Sequence, residues 1–336
     1  HMRDYSITGI IGILLTFCFG AMAVAVDITV AATAAVITTI ILDNKNEIHS
    51  ALNRLQEHEL DAALQLLLIS VVMLPLLPNE GIGPNGMLNP YEIWWMVVLI
   101  ASISFVGYFA MRVGGTEKGS LFTSLFAGLA SSTALTLHFS RLARQTPQIS
   151  PLLSSGILLA CGTMYLRVLL YCAMINPALL GNLTIPLLVM TLVLYLPALL
   201  IWRKHRNGTR VEQPALHNNP LDLKSALTLG VLLTLILLMA SVLQQWLGNA
   251  GIYVLATISG ITDVDAITLS LTRMSQTGLA STTVIIGIII ASSVNNLMKA
   301  GMAISIGGRA MLMRVALPIL LSLLAGLAVM QPMYST

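Results

Sequence analysis

Long, nearly uninterrupted apolar runs are the feature of this sequence that most constrains its fold. Eleven such runs, most of about 15 to 25 residues, are separated by short polar or Gly- and Pro-containing segments. Inside a bilayer, a run of that length satisfies its backbone hydrogen bonds as a helix. Charged residues make up 9% of the chain, against about 25% in soluble domains. The sequence therefore predicts an all-α polytopic membrane protein whose principal partner is the lipid bilayer.

Two segments of the chain repeat each other. GLASSTALTLHFSR, from Gly128 to Arg141, aligns without gaps on GITDVDAITLSLTR, from Gly260 to Arg273. The same offset of 132 residues (128 to 260) relates Arg167 to Lys299. Matches between polar residues at one offset indicate an internal duplication. We predict an N-terminal region over residues 3–88, a first repeat over 89–203, a cytoplasmic linker over 204–219 and a second repeat over 220–336.

The distribution of lysine and arginine predicts the topology. If all eleven apolar runs span the membrane, the basic loop Arg203–Arg210 lies outside the cell, against the positive-inside rule. If the two motif segments are instead re-entrant hairpins, nine helices span and every basic loop except that at Arg273 lies inside. The repeats are then inverted, with broken helices meeting at the midplane. We prefer this interpretation in a bacterial inner membrane, with a cytoplasmic N-terminus and a periplasmic C-terminus, and eleven spanning helices are the alternative.

Each motif interrupts its apolar segment with residues that break and restart helices. Ser, Thr and Asp cap helix N-termini, and Gly relaxes the backbone, so Gly128 and Gly260 are the predicted hinge positions. Broken helices at membrane depth are tolerated where they line a cavity, and in inverted repeats they are typical of secondary transporters. The pattern therefore favours a transporter or channel-like carrier.

The second motif and the following run carry ionisable and amide side chains at membrane depth. Such residues are costly in lipid and mark functional sites by default. The predicted ion-binding residues are Asp263, Asp265, Asn295, Asn296 and Lys299, with hydroxyl groups from Ser131, Ser132 and Thr133 of the first motif.

Several ions fit these side chains. Asp263 and Asp265 are candidate metal ligands, and carboxylate and amide oxygens suit Mg²⁺, Na⁺ or a proton better than zinc or copper. Lys299 complicates a simple cation site. It is a counter-charge to the acids, a partner in a neutral polar cavity, or a ligand for an anionic substrate near half-helix N-termini. We predict no cofactor other than a bound Mg²⁺ or Na⁺.

The segments GLASSTALTL (128–137), GITDVDAITLSL (260–271) and NNLMKAG (295–301) resemble bacterial inner-membrane proteins of the MgtC/SapB-like family. The resemblance is to their C-terminal membrane domain of unknown function, and it extends from about Asp4 to Met330. It implies a membrane location, a link to magnesium and a transport role, with the N-terminal MgtC-like portion absent or truncated. This chain has Asn295-Asn296 where the family has a Ser-Asn or Asn-Thr pair.

Two other classes of function compete with transport. The MgtC resemblance also allows a regulatory or scaffolding membrane protein, in which Asp263 and Asp265 merely cap a helix and pair with Lys299. An intramembrane enzyme is disfavoured, since the sequence contains no HExxH or GxSxG motif. The net charge of +3 gives no indication of a nucleic-acid partner, and a homo-oligomer is compatible with the sequence.

Overall fold

The computed structural model describes residues 7–45, 47, 50, 57–83, 88–114, 119–205 and 223–334. Twelve α-helices occur among them: α1 (Ile7–Ala25), α2 (Ile28–Asp43), α3 (Glu57–Leu67, continuing through a π-helical segment to Leu76), α4 (Pro90–Gly114), α5 (Gly119–Gln145), α6 (Ser150–Ile175), α7 (Leu180–His205), α8 (Leu223–Leu247), α9 (Asn249–Thr262), α10 (Asp265–Gln276), α11 (Ser281–Gly307) and α12 (Leu317–Tyr334). The chain divides into two units, His1–Leu60 and Asp61–Thr336.

The length and apolar composition of the helices confirm the predicted class of all-α polytopic membrane protein. Eight helices within the described part of the chain, α3 to α8, α11 and α12, are long and apolar enough to cross a membrane, while α1, α2 and α9 are apolar but shorter. Residues 3–6, 46, 48–49, 51–56 and 84–87 of the predicted N-terminal region and residues 206–219 of the predicted linker lie outside the described residues, as do 115–118 of the first repeat and 220–222 and 335–336 of the second.

In the first unit, α1 packs against α2. The turn between them ends at Asp27, whose carboxylate accepts hydrogen bonds from the N–H groups of Thr29 (2.7 Å) and Val30 (3.0 Å). An aspartate in this position satisfies N–H groups that have no partner within the helix. This capping explains why α2 begins at Ile28.

The long helix α5 folds back on itself at Ser131. Ser131 has non-helical torsion angles (φ −164°, ψ 96°). A methyl group placed on Gly156 of α6 would lie 2.6 Å from the Ser124 hydroxyl and 2.5 Å from the Phe139 ring. Fifteen residues of straight helix would separate these two residues by about 22 Å. Since both reach the same glycine, α5 is a hairpin of two half-helices rather than a straight span, although its length and composition would allow it to cross.

Helices α9 and α10 form a second hairpin of the same kind. The break lies at Asp263 (φ −151°, ψ 142°). A methyl group on Gly287 of α11 would lie 2.8 Å from Leu271 and 4.0 Å from Ala256, which are again fifteen residues apart. We call α5 the first hairpin and α9–α10 the second hairpin.

Helices α6 and α11 form the centre of the second unit. They are the most buried of the candidate spans. Helix α6 packs against α5, α7 and α10, whereas α11 packs against α9, α10 and α5. Each hairpin therefore contacts both central helices, and the side chains of α6 and α11 meet the tips of both hairpins.

Candidate functional site

Each hairpin tip is closed by a capping side chain at the break. In the first hairpin, the Ser131 hydroxyl accepts a hydrogen bond from the N–H of Ala134 at 3.3 Å. In the second, a carboxylate oxygen of Asp263 accepts one from the N–H of Ala266, also at 3.3 Å. The breaks and caps lie at equivalent positions of the two motifs. Each begins a half-helix whose N-terminus carries partial positive charge.

Side chains from the central helices satisfy the carbonyl groups that the breaks release. Arg167 of α6 donates from Nη1 to the Leu129 carbonyl at 2.8 Å. Asn295 of α11 donates from Nδ2 to the Gly260 carbonyl at 2.9 Å. A carbonyl left without a partner at membrane depth would cost several kcal/mol. Asn295 thus supports the tip of the second hairpin through its amide N–H.

The strongest charge contact in the site joins Arg167 to Asp265. Arg167 Nη2 lies 2.8 Å from Asp265 Oδ1, and the two side chains are only 5% and 8% exposed. The pair connects α6 to the first turn of α10, so it links parts of the chain 98 residues apart (167 to 265). The sequence suggested that the acids pair with Lys299, whereas Asp265 pairs with Arg167.

Lys299 instead faces the tip of the first hairpin. Its ammonium group donates to the Ser132 hydroxyl at 2.7 Å and to the Met164 sulfur at 3.1 Å. The side chain is 1% exposed. Asp263 and Asp265 act on Lys299 electrostatically, but within the described residues neither lies close enough to form an ion pair with it.

Two further buried polar groups have no hydrogen-bond partner among the described residues. They are the amide of Asn296, at both its oxygen and its nitrogen, and the hydroxyl of Tyr165. Both residues are 0% exposed. The Asn296 amide and the Ser322 hydroxyl both lie close enough to the Tyr165 hydroxyl to interact with it, although neither has the geometry of a hydrogen bond. Asn296 precedes Lys299 by three residues and so lies on the same face of α11. Neither Tyr165 nor Arg167 was among the predicted site residues.

The remaining predicted residues have more modest positions. Asp263 is half-buried at its cap, and Thr133 is exposed. Neither Gly128 nor Gly260 has a positive φ angle, and the breaks lie three residues after each, at Ser131 and Asp263. These glycines instead permit close packing, since a methyl group would lie 2.8 Å from Ala160 Cα in the first case and 2.6 Å from the Ala291 carbonyl oxygen in the second.

The side chains at the hairpin tips do not form a favourable set of metal ligands. Among the described residues, no group of three or more His, Cys, Asp or Glu side chains could hold a metal ion. The Asp265 carboxylate is engaged by a guanidinium group, and Asp263 is used as a cap. Lys299 adds a second positive charge nearby. Metal ligation by Asp263 and Asp265 therefore receives no support from the arrangement of these side chains.

A second polar cluster lies at the C-terminal end of α10. Arg273 donates from Nε to Glu92 of α4 at 2.6 Å and from Nη1 to Gln276 at 2.9 Å. These side chains line a cavity of about 240 Å³ together with Tyr91 and Trp95. The Arg273 and Glu92 side chains are 27% and 33% exposed, so this ion pair is much closer to solvent than the central one.

Residues 98–307 match the model of a family described as "Domain of unknown function (DUF4010)". The chain belongs to the DUF4010 family. The matched region contains both hairpins, Arg167, Asp265 and Lys299.

A relative in Aquifex aeolicus (strain VF5), described as an uncharacterized protein, is 36% identical over 201 residues. The alignment covers 59% of this chain and 86% of the relative. No solved structure matches the chain. The more specific resemblance to MgtC/SapB-like proteins stays a prediction.

Proposed function

We propose that this DUF4010 protein is a bacterial inner-membrane carrier for a small ion, and that the ion binds where the two hairpin tips meet the central helices. The observation that carries the proposal is the crossed pattern of buried cations. Arg167 of the first half contacts the second hairpin, and Lys299 of the second half contacts the first. Burying these groups in lipid is costly, and a carrier site between two mobile halves is a function that requires it.

Equivalent contacts in the two halves support an inverted duplication. Ser124 and Phe139 meet at Gly156, and their counterparts 132 residues later, Ala256 and Leu271, meet at Gly287, one residue before the position equivalent to Gly156. We therefore assign the first repeat to residues 89–203 and the second to 220–336. They are joined by the linker 204–219, and residues 3–88 precede them.

The directions of the equivalent helices α6 and α11 favour inversion. Met311, just after the end of α11, accepts a hydrogen bond from Ser154 near the start of α6. Gln276, at the end of the second hairpin and before the start of α11, lies beside the end of α6 at Ile175. The two equivalent helices therefore run in opposite directions. A two-fold axis in the membrane plane produces this arrangement, and it is also consistent with the contact between the equivalent residues Ser322 and Met190.

This arrangement favours nine spanning helices and two re-entrant hairpins. The ends of the first hairpin then face the side that carries Arg144, Arg203 and Lys204, which the positive-inside rule makes cytoplasmic. The ends of the second hairpin face the periplasm, where Glu92 neutralises Arg273. The N-terminus is then cytoplasmic and the C-terminus periplasmic.

Transport in this scheme requires the halves to separate at one hairpin at a time. The Arg167–Asp265 contact closes the second tip and the Lys299–Ser132 contact closes the first, so breaking one of them would open one central site to one side of the membrane. A regulatory protein that transports no ion would not need these contacts between each half and the hairpin of the other half. In that case the Arg167–Asp265 and Lys299–Ser132 contacts would only stabilise the fold.

Flux measurements in proteoliposomes test the proposal. The purified protein should move at least one ion from a panel of Na⁺, K⁺, Mg²⁺, Cl⁻, nitrate and phosphate, with saturable kinetics. Lys299→Gln should abolish this flux, whereas the matched variant Lys204→Gln, which changes an exposed lysine at the end of α7, should retain it. If no ion moves faster than in protein-free liposomes, or if the two variants transport equally, the proposal is wrong.

A further inference from the structure

We infer that the transported ion is a small oxyanion, such as a carboxylate or nitrate, which binds Lys299 at the start of the second half of the first hairpin. This inference rests on the proposed function and specifies the substrate class of the same site. It follows from a difference between the two halves of the chain.

The second hairpin contains a carboxylate that the first hairpin lacks. Asp265 lies in the first turn of α10 and is held by Arg167 at 2.8 Å. The residue equivalent to Asp265 in the first hairpin (265 minus 132) is Thr133, and the residue equivalent to Arg167 is Lys299. The first hairpin therefore has a helix start and a cation that faces it, but it contains no carboxylate. Asp265 shows, within the same chain, how an oxyanion fits between a buried cation and a hairpin tip.

The contacts of Lys299 suit an anion. An ammonium group has three donors, and here two of them reach the neutral acceptors Ser132 and Met164. A buried charge is costly unless an opposite charge compensates it. The half-helix that begins at Ser132 adds the partial positive charge of its N-terminus. An oxyanion beside Lys299 would satisfy the ammonium group and the helix start together.

Asn296 provides a second, independent observation. Its amide is fully buried, has no hydrogen-bond partner among the described residues, and lies one turn from Lys299 on the same face of α11. Buried amides are normally hydrogen-bonded, and this amide is close to Tyr165 without hydrogen-bond geometry, so its donors and acceptor remain available to a ligand. Its N–H₂ group can donate to an oxyanion, and the nearby Tyr165 hydroxyl can do the same.

A cation fits the same place poorly. Lys299 and Arg167 would repel it, and the Asp265 carboxylate is already engaged by Arg167. Asp263 is the one remaining acid of the motif, and it caps α10. The site therefore matches the oxyanion option that the sequence left open rather than Mg²⁺ or Na⁺.

The inference can be tested by introducing, on the first hairpin, a carboxylate that occupies the place of the proposed anion. Ser132→Asp places a carboxylate beside Lys299, and Ser132→Asn is the matched variant of nearly equal volume without the charge. Position 132 should accept the larger residue, since its equivalent in the second hairpin is Val264. The probes are acetate, which reproduces the Asp265 side chain, in equilibrium binding to purified protein, and nitrate in proteoliposome flux.

We expect acetate binding and nitrate flux to be at least tenfold weaker in Ser132→Asp than in Ser132→Asn. Ser132→Asp should also unfold at a higher temperature, because its carboxylate pairs with Lys299. As a second test that leaves Ser132 unchanged, Lys299→Arg should bind acetate at least tenfold more tightly than Lys299→Gln, since arginine occupies the equivalent position 167.

Three results separate the claims. Equal acetate binding by Ser132→Asp and Ser132→Asn overturns the oxyanion inference, as does equal binding by Lys299→Arg and Lys299→Gln. Wild-type flux of Na⁺ or Mg²⁺ without nitrate flux overturns the inference but leaves the carrier proposal standing. The absence of flux for every ion in the panel refutes the carrier proposal itself.

Discussion

Replacing Asp265 with asparagine should destabilise the protein strongly, because it leaves a buried guanidinium group without its counter-charge. The two side chains are in contact at 2.8 Å and are 5% and 8% exposed. Removing one partner of a buried pair costs about 3–5 kcal/mol. The Leu129 carbonyl would still accept a hydrogen bond from Arg167, so we expect a loss near the lower limit, about 3 kcal/mol.

The ion pair between Glu92 and Arg273 supplies a matched control. Glu92 and Arg273 also join the two halves, but their side chains are 33% and 27% exposed. Exposed pairs contribute about 0–1 kcal/mol, so Glu92→Gln should cost no more than that. Both substitutions exchange a carboxylate for an amide of the same shape. The difference between them therefore measures the effect of burial on the charge.

The free energy of unfolding can be measured by titrating the protein in mixed detergent micelles and following tryptophan fluorescence. The double variant Arg167→Gln, Asp265→Asn should lose less stability than the sum of the single variants, because no uncompensated charge remains. If Asp265→Asn costs no more than Glu92→Gln, or if the single losses are additive, the central pair does not have the energetic role given to it here.

Two further predictions concern packing and topology. Gly260→Ala should destabilise the protein by about 1–3 kcal/mol, because the added methyl group would lie 2.6 Å from the Ala291 carbonyl oxygen. A methyl group at Gly301 would have no atom within 4 Å, so Gly301→Ala should stabilise the protein by about 0.5–1 kcal/mol. Thermal unfolding of both variants tests this prediction, and equal effects would contradict it. A cysteine at Gln145, at the end of the first hairpin, should react with an impermeant thiol reagent only from the cytoplasm, and one at Thr277, after the second hairpin, only from the periplasm. Labelling of both from the periplasm would instead favour eleven spanning helices.

The positions of the breaks could be predicted from local chemistry, since Ser131 and Asp263 are capping residues within apolar segments. Gly128 and Gly260 were predicted as hinge positions, but each break lies three residues further along the chain, at Ser131 and Asp263. At Gly128 and Gly260 the missing Cβ matters because of a neighbouring helix, and packing against Ala160 or Ala291 leaves no mark in the local sequence.

The partners of the charges could not be derived from spacing. Two cations and two acids lie in the same region, and the crossing of α6 and α11 past the hairpin tips decides which of them meet. The repeat did contain a usable signal, because Arg167 aligns with Lys299 and could on that ground have been included in the predicted site. Thr133 was predicted to contribute its hydroxyl to the site together with Ser132. Consecutive residues at a helix start point about 100° apart, and in the structure Ser132 is buried whereas Thr133 is exposed.

The most direct test of the central claim asks whether ions cross only when the two halves separate. Cys172 Sγ on α6 lies 3.4 Å from Thr272 Oγ1 on α10, so Thr272→Cys places two thiols close enough for a disulfide between the halves. We predict that oxidation stops ion flux in proteoliposomes and that reduction restores it. Cys172→Ala, Thr272→Cys, which cannot form the bond, should be unaffected by the oxidant. Undiminished flux through protein shown by mass spectrometry to be fully cross-linked would contradict the account.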